Sequence, residues 1–97
     1  MSNKHTVVVI LEAKQGKEKE LESALIAVVN PSRAEESNIE YRLHKGIENP
    51  AQFVLYENWI SKEEHQKQFS KPYILELGAR IEQMLEKPYQ VIFSEEI

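Results

Sequence analysis

The chain of 97 residues contains no cysteine. This absence excludes disulfide bonds, thiolate nucleophiles and thiolate metal ligands, and it is typical of a cytoplasmic protein. Histidine is also scarce, since only His5, His44 and His65 occur and they lie far apart in the sequence. None of their spacings is typical of a metal site, so we expect no bound metal.

Long apolar runs and an excess of positive charge are missing as well. No run approaches the roughly 18 residues that a membrane-spanning helix needs, and the segment Met1 to Thr6 lacks the layout of a signal peptide. The 12 Lys and Arg residues are interspersed among 16 Asp and Glu residues, and the formal net charge is -4. A protein that binds nucleic acid needs basic residues to neutralise phosphates. We therefore expect a cytoplasmic protein with neither a membrane nor a nucleic acid as partner.

The apolar content is that of a folded domain, because hydrophobic residues make up 41% of the chain and charged residues 29%. The length predicts a single domain over residues 1–97. A chain this short buries only about 60 to 65% of the surface that it exposes when unfolded. A partner that adds buried surface is therefore an expected source of stability.

The first half of the chain predicts three strands and one helix. A block rich in valine predicts a strand from His5 to Ala13, and apolar residues at helical spacing after Gly16 predict a helix that ends at Asn30 and Pro31. Period-two alternation predicts a strand from Asn38 to Lys45. A further apolar strand, from Phe53 to Ile60, follows a turn and should form a hairpin with it.

The second half predicts a helix and a last strand. Ser61 and Glu64 match the capping box that satisfies free backbone donors at a helix start. Pro72 interrupts this helix and suits the first turn of a second segment, and a fourth strand follows from Tyr89 to Phe93. The order predicts an α+β, ferredoxin-like βαββαβ fold with a four-stranded antiparallel sheet.

The strands carry apolar residues on both faces, as the block from Val7 to Leu11 shows. Two helices can cover only one face of a sheet, so the second face needs another surface. Packing of two sheets across a two-fold axis is the simplest closed solution. We therefore expect a homodimer, which a charge at Val7 or Val9 would disrupt if those residues faced outward.

Three segments resemble the antibiotic biosynthesis monooxygenase family: PSRAEESNIEYRLHKG (31–46), FVLYENW (53–59) and SKPY (70–73). The resemblance implies a dimeric α+β barrel and, in enzyme members, oxygenation of quinols or electron-rich aromatics without metal or flavin. Some relatives instead degrade haem, but Gln68 and Leu77 stand about where those relatives carry tryptophan and histidine, which disfavours that activity. Tyr73 stands where many relatives have a histidine, so the chain departs from the family pattern there.

Oxygenation without a cofactor requires a base that makes a substrate anion and polar groups that hold it. His44 and Arg42 share one face of the second strand, and we predict them as base and fixed cation. His5, near the terminus, and His65, on a polar helix turn, are weaker candidates. Predicted substrate-binding residues lie on the third strand and the second helix: Tyr56, Asn58, Glu57, Trp59 and Tyr73.

The hairpin register remains open at this point. One register pairs His44 with Tyr56 and Arg42 with Asn58, which would form a polar pocket. A one-residue slip instead pairs Arg42 with Glu57, as in a structural salt bridge, and Glu40 with Trp59. Glu57 lies between apolar neighbours and must find a partner or become protonated if it is buried. Arg33 is one such partner, unless it faces solvent.

The function that these residues predict is a cofactor-independent monooxygenase acting on a quinol or a polyphenolic small molecule. An alternative is an isomerase or related non-oxidative enzyme on a small signalling molecule, although no glycine-rich phosphate loop is present. A second alternative is a non-catalytic dimeric protein that binds a small molecule.

Overall fold

The fold is α+β, with one four-stranded antiparallel sheet and helices packed on one of its faces. A computed structural model describes residues 4–97; the first three residues of the segment searched for a signal peptide lie outside this range. The strand order is β2-β3-β1-β4, which confirms the predicted ferredoxin-like arrangement. The elements are β1 (His5–Glu12), α1 (Glu18–Ile26), α2 (Val29–Arg33), β2 (Asn38–Lys45), β3 (Gln52–Trp59), α3 (Lys62–Gln66), α4 (Pro72–Ile81) and β4 (Gln90–Ser94).

The first helix ends earlier than predicted. It stops at Ile26, and Asn30 and Pro31 lie inside the short second helix α2 instead of terminating the first. Proline is tolerated there because it falls in the first turn of α2, where backbone N–H groups have no partner within the helix. The apolar stripe behaves as expected, since Leu21, Leu25 and Val28 are buried.

The start of α3 and the start of α4 are confirmed. The hydroxyl oxygen of Ser61 accepts a hydrogen bond of 3.1 Å from the backbone N–H of Glu64, so Ser61 caps α3. A 3-10 turn over residues 67–70 then leads to Pro72, which is the first residue of α4. No helix within residues 4–97 is long and apolar enough to cross a membrane.

Odd-numbered strand residues face the helices and even-numbered residues face the other way. Val7, Leu11 and Phe53 are therefore core residues, and Val9 packs against the core. The face away from the helices, which we name the open face, carries Val8, Ile10 and Val54, which are half-buried, and Tyr56 and Ile92, which are exposed. The charge test proposed for Val7 or Val9 therefore belongs at Val8 or Ile10.

Neither predicted hairpin register occurs. His44 lies opposite Val54, Arg42 opposite Tyr56 and Glu40 opposite Asn58. The loop sets this register, because the backbone N–H of Gly46 donates to the carbonyl of Gln52 at 2.8 Å and so closes the hairpin two residues away from the first predicted pairing.

Candidate active site

A cleft of about 300 Å³ opens between the helix-facing side of the sheet and the segment from α3 to α4. Its wall is mostly aliphatic and aromatic, as is typical of a small-molecule site with a few polar groups. The lining residues are Val7, Val9, Tyr41, Glu57, His65, Gln68, Phe69, Ile74, Tyr89, Val91 and Phe93.

Glu57 contributes the carboxyl group that lines this cleft. Strand β3 points its side chain toward the helices, where only 3% of the residue is exposed. The indole Nε1–H of Trp59 donates to Oε1 of Glu57 at 2.8 Å. Burial raises the pKa of Glu57 to about 7, and the Trp59 hydrogen bond opposes that rise. A carboxyl group with a pKa near neutrality is suited to both accept and release a proton.

His65 is the partner of Glu57. Its Nε2 lies 3.6 Å from Oε1 of Glu57, and its ring stacks on the Trp59 indole with centroids 4.7 Å apart. Burial lowers the pKa of His65 to about 4, with a further contribution from His5, while a side-chain hydrogen bond with Gln68 opposes the fall. Burial penalises both charges, so the neutral carboxyl and the neutral imidazole are the favoured forms of this pair.

The position of His65 follows from the cap of α3. Ser61 sets where the helix begins, and the uncharged residues His65, Gln68 and Phe69 then fall on one side of the chain, among charged neighbours. That spacing of three and four residues is the signal that the sequence interpretation missed when it placed His65 on a polar turn. The ring is in fact only 3% exposed.

His5 lies behind the pair. Its ring centroid is 5.3 Å from that of His65 and 5.1 Å from that of Phe93. The residue is 9% exposed, and its Nε2 has no hydrogen-bond partner among residues 4–97. Burial, and then the charge of Lys62, lowers its pKa, so the neutral form is favoured here as well.

A polar chain extends from the cleft to the surface. The side-chain amide of Gln68 donates to Oγ of Ser32 at 2.9 Å and to the hydroxyl of Tyr73 at 3.1 Å. The Tyr73 hydroxyl in turn donates to Oε2 of Glu35 at 2.8 Å. Glu35 also lies 3.4 Å from Nζ of Lys71. The chain thereby connects α2, the 3-10 turn and α4 with the loop that carries Glu35.

The structure divides the predicted site residues between the two faces of the sheet. Glu57 lines the cleft, Trp59 lies beneath it, and Tyr73 is joined to it through Gln68. The predicted residues on the open face are His44, Arg42, Tyr56 and Asn58.

On the open face, polar contacts centre on Glu40. Arg42 donates to Oε2 of Glu40 at 2.9 Å and Asn58 donates to Oε1 at 2.7 Å, and these two contacts, with Asn58 the stronger, hold the pKa of Glu40 below its ordinary value. Asn58 also accepts from Thr6. His44 and Arg42 are exposed, and the role of His44 as a base stays a prediction.

Arg33 does not contact Glu57. Its Nε donates to the backbone carbonyl of Tyr41 at 2.9 Å, so the partner of the buried carboxyl is His65. Within residues 4–97 no group of three histidine or acidic side chains is arranged to hold a metal ion.

Comparison with known proteins assigns the chain to a family. The family model described as "Antibiotic biosynthesis monooxygenase" matches residues 5–80. The chain belongs to the antibiotic biosynthesis monooxygenase family. No curated protein matches the chain at a significant level.

Solved structures of other proteins share the fold. PA3566 from Pseudomonas aeruginosa is 25% identical, with a TM-score of 0.94 over 100% of this chain and 97% of that one. Rv0793 from Mycobacterium tuberculosis is 21% identical, with a TM-score of 0.92 over 97% of this chain and 95% of that one. A structure described as an antibiotic biosynthesis monooxygenase is 16% identical, with a TM-score of 0.90 over 96% and 98% of the two chains. At these identities the likeness establishes the fold and leaves the substrate open.

Proposed function

We propose that this family member is a cofactor-independent monooxygenase that acts on a quinol or polyphenolic small molecule in the cleft. The observation that carries the proposal is the buried Glu57 carboxyl, which has a pKa near neutrality and contacts His65 in an otherwise apolar cleft. A base of this kind works best when its pKa is close to the working pH.

The chemistry begins in the fraction of molecules in which Glu57 is ionised, which is substantial at neutral pH because its pKa is about 7. This carboxylate takes a proton from a substrate hydroxyl. The resulting phenolate reduces O2 more readily than the neutral quinol, and a C–O bond then forms between a ring carbon and O2. Glu57 returns the proton to the peroxide, the O–O bond breaks, and the distal oxygen leaves as water with the hydrogen of that ring carbon. A quinol and O2 thus give a hydroxyquinone and water, with the quinol oxidised and O2 reduced.

The wall of the cleft supports a neutral aromatic substrate. Phe69, Phe93 and Tyr89 offer ring faces and edges, and the aliphatic side chains exclude water, which strengthens electrostatic interactions with a developing anion. Among the described residues, no lysine or arginine lines the cleft, and Glu57 would repel a phosphate. This composition disfavours the alternative of an isomerase for a phosphorylated molecule.

We also propose that a second copy of the chain covers the open face. Val8, Ile10, Tyr56 and Ile92 form an apolar area there, and 38% of Tyr56 is exposed in the single chain. Packing of two such faces would remove this apolar surface from water. A cytoplasmic location stays a prediction.

Oxygen uptake with a panel of reduced quinones and polyphenols tests the proposed reaction. Purified metal-free protein should consume O2 faster than a blank without protein, which measures autoxidation. Glu57→Gln should abolish this excess because glutamine cannot accept the proton, and His65→Gln should reduce it. His44→Gln is the matched control, since its side chain is exposed on the open face.

The variant that loses oxygen uptake identifies which face of the sheet holds the active site. Loss of uptake in Glu57→Gln with retention in His44→Gln supports the cleft. Loss in His44→Gln with retention in Glu57→Gln would move the site to the open face. Absence of uptake with every compound would contradict the monooxygenase proposal and favour a binding protein of the same fold.

A further inference from the structure

Each hydrogen bond in the polar chain that starts at Gln68 has a direction that can be assigned. A carboxylate can only accept, so the single proton of the Tyr73 hydroxyl is committed to Glu35 at 2.8 Å. The Tyr73 oxygen must therefore accept from its other neighbour, the Nε2 of Gln68 at 3.1 Å. The second hydrogen of the same nitrogen goes to Oγ of Ser32 at 2.9 Å. Both amide hydrogens of Gln68 are thus in use.

This arrangement leaves the amide oxygen of Gln68 as the atom that is available to His65. An amide in the flipped orientation would place its oxygen against the Tyr73 oxygen, whose proton is already committed, and would lose that hydrogen bond. The Gln68 oxygen can only accept, so the ring nitrogen of His65 that bonds to it must carry a hydrogen. The other ring nitrogen of neutral His65 then has a free lone pair.

Resting on the proposed acid-base role of the Glu57 and His65 pair, we propose that Tyr73 and Glu35 are positioning residues. Through Gln68 they hold the proton of neutral His65 on Nδ1 and turn the lone pair of Nε2 toward Glu57. Nε2 is the nitrogen that lies 3.6 Å from the carboxyl, which assigns the bond with Gln68 to Nδ1.

The consequence for catalysis is a prepared proton acceptor beside Glu57. When Glu57 takes a proton from substrate, the lone pair of Nε2 faces the carboxyl and shares that proton. The opposite tautomer would point an N–H at Glu57 and leave no acceptor. Because the pair is buried, water does not replace Nε2 as the acceptor beside Glu57. The tautomer of His65 therefore depends on the neighbouring side chains.

The surroundings of His65 contain few other groups that could set the tautomer. Strand β3 contributes Glu57 and the Trp59 ring, β1 contributes His5, and β4 contributes Phe93. Its own segment contributes Gln68 and Phe69. Two charged residues, Lys62 and Glu63, act on His5. Among these neighbours, Glu57 is held by the hydrogen bond from Trp59, and Gln68 is the one whose two amide hydrogens are both committed to other side chains.

The test is the tautomer of His65, measured by two-bond ¹H–¹⁵N NMR correlations at neutral pH. The chain has three histidines, so the spectrum is simple and His65→Gln assigns the His65 signals. The wild-type chain should show Nδ1 protonated and Nε2 unprotonated. Tyr73→Phe removes the hydroxyl that orients Gln68, and the tautomer ratio should fall about fivefold, the factor that one ordinary hydrogen bond contributes.

Two further variants make the test independent of folding defects. Tyr56→Phe removes a tyrosine hydroxyl from the open face and should leave His65 unchanged. Glu35→Gln keeps Tyr73 in place but adds an amide that can donate to it, so the His65 ratio should move in the same direction as in Tyr73→Phe by a smaller amount. A wild-type His65 protonated on Nε2, or a ratio that does not respond to either Tyr73→Phe or Glu35→Gln, would overturn the proposal.

Failure of this inference is distinguishable from failure of the proposed reaction. A tautomer that responds as expected in a protein without oxygen uptake would support the positioning chain and contradict the monooxygenase proposal. Oxygen uptake that needs Glu57, together with a tautomer insensitive to Tyr73, would support the reaction and overturn the role of Tyr73 and Glu35.

Discussion

Replacing either Glu57 or His65 should make the free energy of unfolding depend on pH, whereas the intact pair contributes little pH dependence. Burial raises the pKa of Glu57 from 4.5 to about 7 and lowers that of His65 from 6.5 to about 4. Between pH 4.5 and 6.5 the unfolded chain therefore carries a carboxylate and an imidazolium, and the folded chain carries both groups neutral. The number of bound protons is the same in the two states, so the two contributions to the pH dependence offset each other.

Glu57→Gln removes one half of this balance. Only His65 then titrates at the site, and the folded chain binds fewer protons than the unfolded chain between pH 4 and 6.5. The free energy of unfolding should rise as the pH increases through this window. The gap between the two pKa values of His65 corresponds to about 3 kcal/mol, since one pKa unit is worth roughly 1.4 kcal/mol.

His65→Gln should produce the opposite slope. The folded Glu57 holds its proton up to a pH of about 7, whereas the unfolded carboxyl loses it near 4.5. The folded chain then binds more protons in this window, and the free energy of unfolding should fall by about 3 kcal/mol as the pH rises from 4.5 to 7. This is the reverse of the usual behaviour of a carboxylate stabilised by an ion pair.

Urea denaturation across this pH range, at one fixed protomer concentration, measures both slopes. The wild-type chain and His44→Gln should give parallel profiles, because His44 is exposed, and all profiles share the rise with pH that the lowered pKa of His5 contributes. Relative to the wild type, Glu57→Gln and His65→Gln should change the slope in opposite directions. Profiles of the two variants that run parallel to the wild type, or that depart from it in the same direction, would refute the buried neutral pair.

Three further predictions concern the cap, the indole and the open face. Ser61→Ala should lower the free energy of unfolding by about 1 kcal/mol in urea denaturation, and Ser61→Asp should restore it; equal stability of alanine and serine would contradict the cap. Trp59→Phe should raise the pKa of Glu57 further, because it removes the donor that opposes the effect of burial. The carboxyl ¹³C shift measures this titration, and an unchanged or lower midpoint would contradict it. Ile10→Lys should dissociate the proposed homodimer in sedimentation equilibrium, whereas Lys19→Glu on exposed α1 should not; an Ile10→Lys protein of unchanged mass would exclude packing through the open face.

The element order could be predicted because it depends on local patterns. Strand β2 begins and ends at Asn38 and Lys45 as predicted, since a period of two is a property of neighbouring residues. The Ser61 cap is equally local, because donor and acceptor are three residues apart. The end of α1 was missed because Pro31 is acceptable in a first helical turn, and the sequence does not show that a new helix begins at Val29.

The site could be predicted only in part. The interpretation of Glu57 as a buried carboxyl in need of a partner is correct, but the partner is His65 and not Arg33. Alternation along β3 separates Glu57 and Trp59 from Tyr56 and Asn58, yet it does not show which pair faces the helices.

The sequence by itself determined the family, the α+β order and the alternation of the strands, because each of these follows from local patterns along the chain. The tertiary structure alone decided the hairpin register, the face that meets the helices and the contact between β3 and α3. The register depends on how the loop closes between Gly46 and Gln52. The helix cap positions His65 and the sheet positions Glu57, so the two side chains meet only in the folded chain. Burial then raises the pKa of Glu57 and lowers that of His65.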